Sequence, residues 1–259
     1  MLKKRMILCL LMDNEGVFYN SRNFQIQPIG KLNWILHYLN FDAIDELVLV
    51  NVDRHPKDVH KFSQHMKELS KYCFVPISAG GGVKSNSDFQ LLLESGADKI
   101  IVNSHAMKTP DLIKEAAQLF GSQCVVVSVD VKLHKPSQQK FVVIENGTKI
   151  TGQSPTEWLK ELETLGAGEI FLTSLDNDGV GNGYDLELIK ACCDAVNIPI
   201  IASGGVGEFP HLSQGMNAGA SAVSAANVFH YIGDGLTRAK QYLAQESPEF
   251  PTFIFSTSR

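Results

Sequence analysis

The sequence is poor in basic residues and in long apolar runs. Its 259 residues include 23 Lys and Arg against 28 Asp and Glu, so the formal net charge is −5. This balance argues against a nucleic-acid-binding surface. No apolar run approaches the roughly 20 residues that a membrane-spanning helix needs. The apolar stretch after the basic N-terminus is short and ends in acidic residues without a small-residue cleavage site, so we expect no signal peptide.

Sequence motifs for metals and disulfides are also missing. The five cysteines include no C-x-x-C pair, and the eight histidines form no H-x-x-x-H or H-E-x-x-H array. An odd number of cysteines without that spacing argues against a disulfide framework and against structural zinc. We therefore expect a reduced, cytoplasmic protein with no metal, no cofactor, and neither a nucleic-acid nor a membrane partner.

Apolar runs rich in Val and Ile recur along the chain. Most do not alternate polar and apolar residues, which is typical of parallel strands buried on both faces. The runs are 7–12, 46–52, 75–80, 99–104, 124–130, 169–176, 198–203 and 222–229. Amphipathic helical stretches such as 88–96, 111–121 and 185–196 separate them. Eight strands alternating with helices predict an α/β fold, the (βα)8 TIM barrel. A doubly wound open sheet is the second choice, because its usual G-x-G-x-x-G motif is absent.

The chain repeats itself at half its length. "ELVLVNVD" aligns with "EIFLTSLD", "AGGGV" with "ASGGV", and "GADKIIVN" with "GASAVSAA", and all three pairs share one offset, as Glu46 with Glu169 shows. Three segments in one register favour a barrel built from two similar halves. We predict a single domain over residues 1–259, with half-barrels at about 1–121 and 122–247 and a C-terminal tail at 248–259.

Glycine-rich turns follow two strands at equivalent places in the repeat. They are "AGGGVKSNSD" and "ASGGVGEF". Glycine allows a ligand to approach the backbone, and a helix N-terminus presents N–H groups to an anion. Asn103 and Ser104 end the strand beside the first turn, and Ala226 and Asn227 end the strand beside the second. The alternative is that these glycines only form tight turns, but their pairing by the repeat favours a ligand with two phosphate groups.

Acidic residues lie at two strand ends where a barrel carries its chemistry. Asp130 ends an apolar strand, and a carboxylate in that position can act as a general acid or base. Asp176 and Asp178 belong to a glycine-rich loop. The alternative for Asp176 is that it only caps a turn, whereas Asp178 stays open between a functional and a structural role. Asp185 precedes a helical stretch and is predicted to be its N-cap.

Four charged residues stand at the opposite ends of the predicted strands. Arg5, Glu46, Lys99 and Glu169 precede or begin strands 1, 2, 4 and 6. Charged side chains are rarely buried unless they are paired. Two bases and two acids at this level predict a mutually neutralising ring around the barrel axis, whereas the alternative is four solvated strand ends.

The sequence closely resembles the cyclase subunit of imidazole glycerol phosphate synthase over nearly the whole chain. The segments that carry this resemblance, in order and spacing, are "GADKIIVNS", "FGSQCVVVSVD", "GAGEIFLTSLDNDG", "GYDLELIK", "IPIIASGGVG" and "NVFHY". The resemblance implies a barrel of two halves that associates with a glutaminase subunit, a class I amidotransferase, at the N-terminal face. Ammonia would cross the barrel through a charged gate and react with a ribulosyl-ribonucleotide carrying two phosphates, a step of histidine biosynthesis.

Several residues take roles by this resemblance. Arg5, Glu46, Lys99 and Glu169 match the ammonia gate, and Asp98 matches a position that contacts the glutaminase. Asp130 matches one of two catalytic aspartates, and the candidate catalytic acids are Asp130 and Asp178. The phosphate sites fall on Gly82, Asn103 and Ser104 for the first, and on Asp178, Gly179, Gly205, Ala226 and Asn227 for the second.

The chain departs from the family at the end of its first strand. The second catalytic aspartate of the family falls on Leu11, which cannot transfer a proton. A family lysine falls on about Asn20 and a second-strand aspartate on Asn51. Asp13 would have to reach back from outside the strand to replace the missing acid.

Three functions therefore remain open from the sequence. The first is a working cyclase subunit. The second is a paralogue deficient in cyclisation that activates a glutaminase and passes ammonia to another amidotransferase, for example in surface polysaccharide (lipopolysaccharide) synthesis. The third is a scaffold that activates a glutaminase without catalysis. The isomerase barrel one step earlier in the pathway is less favoured, because it too needs an acid at the end of strand 1.

Overall fold

A computed structural model describes residues 3–38, 40–54, 56–227, 234–246 and 250 of the chain. Its strands are β1 (Arg5–Met12), β2 (Val17–Arg22), β3 (Gln25–Lys31), β4 (Glu46–Asn51), β5 (Ile77–Gly80), β6 (Lys99–Val102), β7 (Val125–His134), β8 (Gln139–Ile144), β9 (Lys149–Ile150), β10 (Glu169–Ser174), β11 (Ile200–Ser203) and β12 (Ala222–Ala225).

The helices lie mainly between successive barrel strands. They are α1 (Leu32–Tyr38), α2 (Val59–Leu69), α3 (Asn86–Glu94), α4 (Ser104–Lys108), α5 (Asp111–Phe120), α6 (Pro155–Leu165), α7 (Leu186–Ala195), α8 (Phe209–Asn217) and α9 (Gly235–Glu246), and short 3-10 turns cover Phe41–Ala43 and Ser122–Cys124. Asp185 is the N-cap of α7, as expected, because its side chain accepts a hydrogen bond from the Leu188 N–H at 3.0 Å. None of the described helices is long and apolar enough to cross a membrane.

Eight parallel strands close into a barrel. The order around it is β1, β4, β5, β6, β7, β10, β11 and β12, and β12 pairs with β1 while β7 pairs with β10. The prediction of an α/β (βα)8 TIM barrel is confirmed. The expected run 75–80 starts as a strand only at Ile77, because Pro76 has no N–H to donate to a ladder. The run 222–229 ends as a strand at Ala225, and its last two residues lie outside the described residues.

Two β-hairpins stand above the barrel and were not predicted. β2 and β3 follow β1, and β8 and β9 follow the upper end of β7. β1 and β7 are equivalent strands of the two proposed halves, so the repeat extends to these additions. The first hairpin could not be predicted from the sequence, because its strand "QIQPIGK" has little apolar periodicity.

The barrel wall is apolar on both faces, which explains the uninterrupted runs of the sequence. Along β1, Met6, Leu8 and Leu10 pack outward against the helices, while Ile7 and Cys9 belong to a second cluster inside the barrel. Successive side chains of a strand point to opposite faces, so one strand supplies both layers. The tail expected at 248–259 lies outside the described residues except Phe250, which is buried.

Candidate functional site

A cavity of about 420 Å³ opens at the carboxyl ends of the barrel strands. In barrels of this architecture the working residues occupy that end. The cavity is lined by every residue that the sequence assigned to catalysis or phosphate binding: Gly82, Asn103, Ser104, Asp130, Asp178, Gly179, Gly205, Ala226 and Asn227. The structure thus brings together positions that lie as far as 145 residues apart in the chain, from 82 to 227.

Asp130 is the buried acid of the cavity. Its side chain accepts hydrogen bonds from Asn103 Nδ2 at 2.7 Å and from Ser128 Oγ at 3.4 Å. Burial raises the pKa of Asp130 from 3.8 to about 6, with a smaller raising contribution from Asp178 and opposing contributions from the Asn103 hydrogen bond and Lys57. A carboxyl with a pKa near neutrality can both accept and donate a proton at physiological pH.

Asp178 is held by the first hairpin. Its Oδ2 accepts hydrogen bonds from Ser21 Oγ at 2.5 Å and from the Phe24 N–H at 3.2 Å. Burial raises the pKa of Asp178, against the lowering effect of these two donors. Asn227 Nδ2 donates to the Ser21 carbonyl oxygen at 2.6 Å, so Ser21 joins Asp178 to the end of β12, beside the second glycine turn. Sequence reasoning missed Ser21, because no apolar run marks the hairpin that carries it.

Both glycine turns have backbone conformations that favour glycine. Gly82 has φ +90° and Gly205 has φ +118°. A Cβ added at Gly205 would collide with the Gly183 carbonyl oxygen. Ser85 caps α3 after the first turn through a capping box. The turns therefore expose backbone close to the cavity, as a phosphate site requires.

The side chains of Asn103 and Ser104 form hydrogen bonds with neighbouring residues. The Asn103 amide donates to Asp130, and its oxygen accepts from Ser104 Oγ at 3.1 Å. Ser104 Oγ in turn accepts a hydrogen bond from the Glu145 N–H at 2.9 Å. These bonds fix both side chains at the rim where β6 ends and α4 begins.

Leu11 presents an apolar side chain at the position that the resemblance assigns to a second acid. It lines the cavity together with Cys9, Val50 and Phe24. Asp13 does not replace it. The Asp13 carboxylate accepts hydrogen bonds from the Glu15 N–H, the Val17 N–H and the Tyr19 hydroxyl, all within the hairpin turn.

Asn51 does not take the place of the acid either. It is fully buried and donates to Asn14 Oδ1 at 2.8 Å. Among the cavity-lining residues described here, the acids are Asp130, Glu145 and Asp178. The strand-1 side of the cavity is therefore apolar.

A closed ring of ion pairs lies at the opposite end of the barrel. Arg5 contacts Glu46 at 2.6 Å and also pairs with Glu169, while Lys99 lies 2.9 Å from each glutamate. Ser78 Oγ donates to Glu46 at 2.6 Å. Because Lys99 on β6 reaches β4 and β10, the pairs cross the barrel interior. Burial alone lowers the pKa of Arg5, but the hydrogen bonds and charges of Glu169 and Glu46 outweigh it and raise that pKa above its ordinary value.

Asp98 lies next to this ring on the N-terminal face. Its side chain accepts a hydrogen bond from the Ile77 N–H at 2.8 Å, and the residue is otherwise exposed. Phe74, just before β5, is 86% exposed. An exposed aromatic residue on this face is suited to a protein contact. Among the described residues, no group of three or more His, Cys, Asp or Glu side chains is arranged to hold a metal ion.

Comparison with known proteins gives consistent matches along the chain. The family model described as "Histidine biosynthesis protein" matches residues 7–233. The chain is 39% identical over 247 residues to "Imidazole glycerol phosphate synthase subunit HisF" of Clostridium botulinum (strain Okra / Type B1), covering 95% of this chain and 98% of that protein. The proteins of the same name from strain Langeland / NCTC 10281 / Type F and strain 657 / Type Ba4 are 39% and 38% identical over the same length.

Proposed function

Because the chain belongs to the histidine biosynthesis protein family, we propose that it is the barrel subunit of a glutamine-dependent synthase of the imidazole glycerol phosphate type. In this proposal a glutaminase docks on the N-terminal face, near Asp98, and ammonia crosses the barrel to the cavity. The family membership confirms the resemblance found in the sequence motifs.

The main support for this proposal is that the charged ring and the cavity lie at opposite ends of one barrel. The ring of Arg5, Glu46, Lys99 and Glu169 closes one end, and the cavity with two glycine turns occupies the other. A ring with equal numbers of positive and negative groups presents no net charge to a neutral ammonia molecule, whereas an ammonium ion would have to leave its water shell. The ring would open when one ion pair separates.

The cavity supports chemistry on a ligand with a phosphate at each end. The first turn with Gly82 and the second with Gly205 would hold the two phosphates, and the reacting centre would lie between them beside Asp130. Ammonia attacks an electrophilic carbon and then loses a proton, and Asp130 in its ionised form can accept that proton. The ribulosyl-ribonucleotide implied by the family resemblance has this arrangement of phosphates.

One observation favours a second candidate, in which cyclisation is weak and the ammonia serves another acceptor. Leu11 replaces an acid on the wall of the cavity, and neither Asp13 nor Asn51 compensates for it. Positioned proton transfer typically contributes about 10²–10⁴-fold in rate. Loss of one acid would slow the cyclisation and leave the ring and both turns unaffected. A different amidotransferase acceptor, such as a sugar of surface polysaccharide synthesis, would then receive the ammonia.

Two assays on the purified chain test the proposal and separate the candidates. We expect the chain to stimulate glutamine hydrolysis by its glutaminase partner and to cyclise the ribulosyl-ribonucleotide slowly with ammonium. Leu11→Asp should increase ammonium-dependent cyclisation by about tenfold or more, since it restores part of the acid/base contribution. Leu119→Asp is the matched control, because Leu119 lies on α5 with 65% of its surface exposed.

The possible results of these assays separate the three candidate functions. Rapid wild-type cyclisation that Leu11→Asp does not increase would remove the second candidate. A chain that neither stimulates the glutaminase nor uses ammonium would contradict the proposed function as a whole. Stimulation without ammonium-dependent turnover in either protein would favour the scaffold reading of the sequence.

A further inference from the structure

Lys57 is a cation of the cavity to which the family resemblance gives no role. It lies in the loop between β4 and α2 and lines the cavity together with Gly82 and Asp130. The residue is half-buried. No hydrogen bond or ion pair joins its ammonium group to any other residue that the structure describes.

The stem of Lys57 packs directly on the first glycine turn. A Cβ added at Gly82 would lie 2.7 Å from Lys57 Cβ and 3.6 Å from Lys57 Cδ. The absence of a side chain at Gly82 therefore makes room for the lysine as well as for a ligand. This contact holds the lysine stem against the turn and leaves its ammonium group in the cavity.

The surroundings of Lys57 leave its charge only partly balanced. Burial lowers the pKa of Lys57, the neighbouring Arg54 lowers it further, and the negative charges of Asp130 and Asp53 act in the opposite direction. Buried charges are normally paired. Lys108, another cation of this cavity, already contacts Glu145 at 2.7 Å. The ammonium group of Lys57 can therefore form an ion pair with a ligand in the cavity.

The positive charge of the cavity is confined to one end. Its lysines and arginines in the described part of the chain are Arg54, Lys57 and Lys84, which come from loops beside the first turn, and Lys108, which ends α4. The lining residues from 128 to 227, which form the second turn and its neighbours, include no lysine or arginine. The two phosphate turns that the repeat relates are therefore unlike in charge.

We infer that Lys57 binds the phosphate held at the first turn and makes this end of the cavity selective for a doubly charged terminal phosphate. The inference rests on the proposed function, because it takes the first turn to be a phosphate site. The ammonium group would sit between the phosphate oxygens and the carboxyl of Asp130. The second turn would bind its phosphate through backbone and amide groups alone and hence more weakly.

The test is a titration of the isotope-labelled full chain with inorganic phosphate, followed by amide NMR shifts. The shifts of Gly82 and Ser104 report on the first turn, and those of Gly205 and Asn227 report on the second within the same sample. Lys57→Met keeps most of the stem on Gly82 and removes the charge. We expect it to weaken phosphate binding at the first turn by about 10- to 100-fold and to leave the second turn unchanged.

Two further variants complete the test. Lys57→Arg should restore much of the binding, and Lys61→Met is the matched control, since Lys61 is exposed and pairs with Glu15 outside the cavity. Equal affinities of wild type and Lys57→Met at the first turn would overturn the inference while leaving the proposed function standing. Absence of phosphate shifts at both turns of the wild type would count against the proposed function and the inference together.

Discussion

Asp130 should make the folded protein less stable at neutral and alkaline pH, and its replacement by asparagine should reveal this cost. The residue is 7% exposed, and burial is the main reason that its pKa rises from 3.8 to about 6. A group whose pKa is raised on folding favours the folded chain only while it is protonated. Its contribution is complete below about pH 4 and is lost as the pH rises through about 6.

The size of the effect follows from linkage. Each pKa unit between the folded and unfolded chains corresponds to 1.36 kcal/mol. The shift of Asp130 therefore costs about 3 kcal/mol in the free energy of unfolding at pH 8, when both states are ionised. Asp130→Asn removes the charge and keeps an acceptor oxygen for Asn103. We expect the variant to be more stable than the wild type by up to about 3 kcal/mol at pH 8 and nearly equal to it at pH 4.

Urea denaturation at several pH values between 4 and 8 measures this difference. Asp194→Asn serves as the control, because Asp194 lies on α7 with its side chain 66% exposed. Substitutions of exposed residues usually change the free energy of unfolding by less than about 0.5 kcal/mol. The reasoning is refuted if Asp130→Asn is less stable than the wild type at pH 8. It is refuted equally if the difference between the two proteins is independent of pH.

Two other substitutions probe the ring and the second turn. Glu46→Leu leaves Arg5 and Lys99 opposite a single glutamate and should lower the free energy of unfolding by about 3–5 kcal/mol. If thermal denaturation shows a loss below about 1 kcal/mol, the four residues do not form a mutually stabilising ring. Gly205→Ala should abolish phosphate-induced shifts at the second turn and lower the Tm, since its Cβ meets backbone at positive φ. Gly152→Ala, also at positive φ but with open space around it, should lower the Tm less.

The barrel could be predicted because its strands are buried on both faces. A run such as "LVLV" at 47–50 supplies the outer core and the barrel interior at once, so it contains no polar break. The hairpins could not be predicted in the same way. β2 and β3 stand above the barrel with one face outward, and residues such as Gln25 and Gln27 give them no apolar signal.

Part of the site could be predicted because barrels place chemistry at strand ends. Asn103 and the glycine turns follow directly from that rule. Asp130 was expected to end its strand, but β7 continues past it to His134 because its upper part pairs with β8. Ser21 and Lys57 could not be found in this way, since each comes from a segment whose path over the cavity depends on tertiary packing. Their residue types alone carry no signal, because serine and lysine are common in surface loops.

The cavity has a buried acid at Asp130 and an apolar residue at Leu11, and this combination limits which functions it can serve. A passive scaffold would have no use for a carboxyl whose burial raises its pKa to about 6, because an apolar residue at 130 would pack there without burying an ionisable group. Asp130 is nevertheless held by Asn103 and Ser128 and lies in the same cavity as both glycine turns. This arrangement fits a reaction that needs one proton-transfer group, such as the capture of ammonia by an electrophilic carbon. A cyclisation that needs a second such group on the Leu11 wall would lack it, because Asp178, the other candidate acid, is held by Ser21 and the Phe24 N–H. Under the proposed function, ammonia would therefore be used at this cavity, and Leu11 would limit how far the cyclisation proceeds.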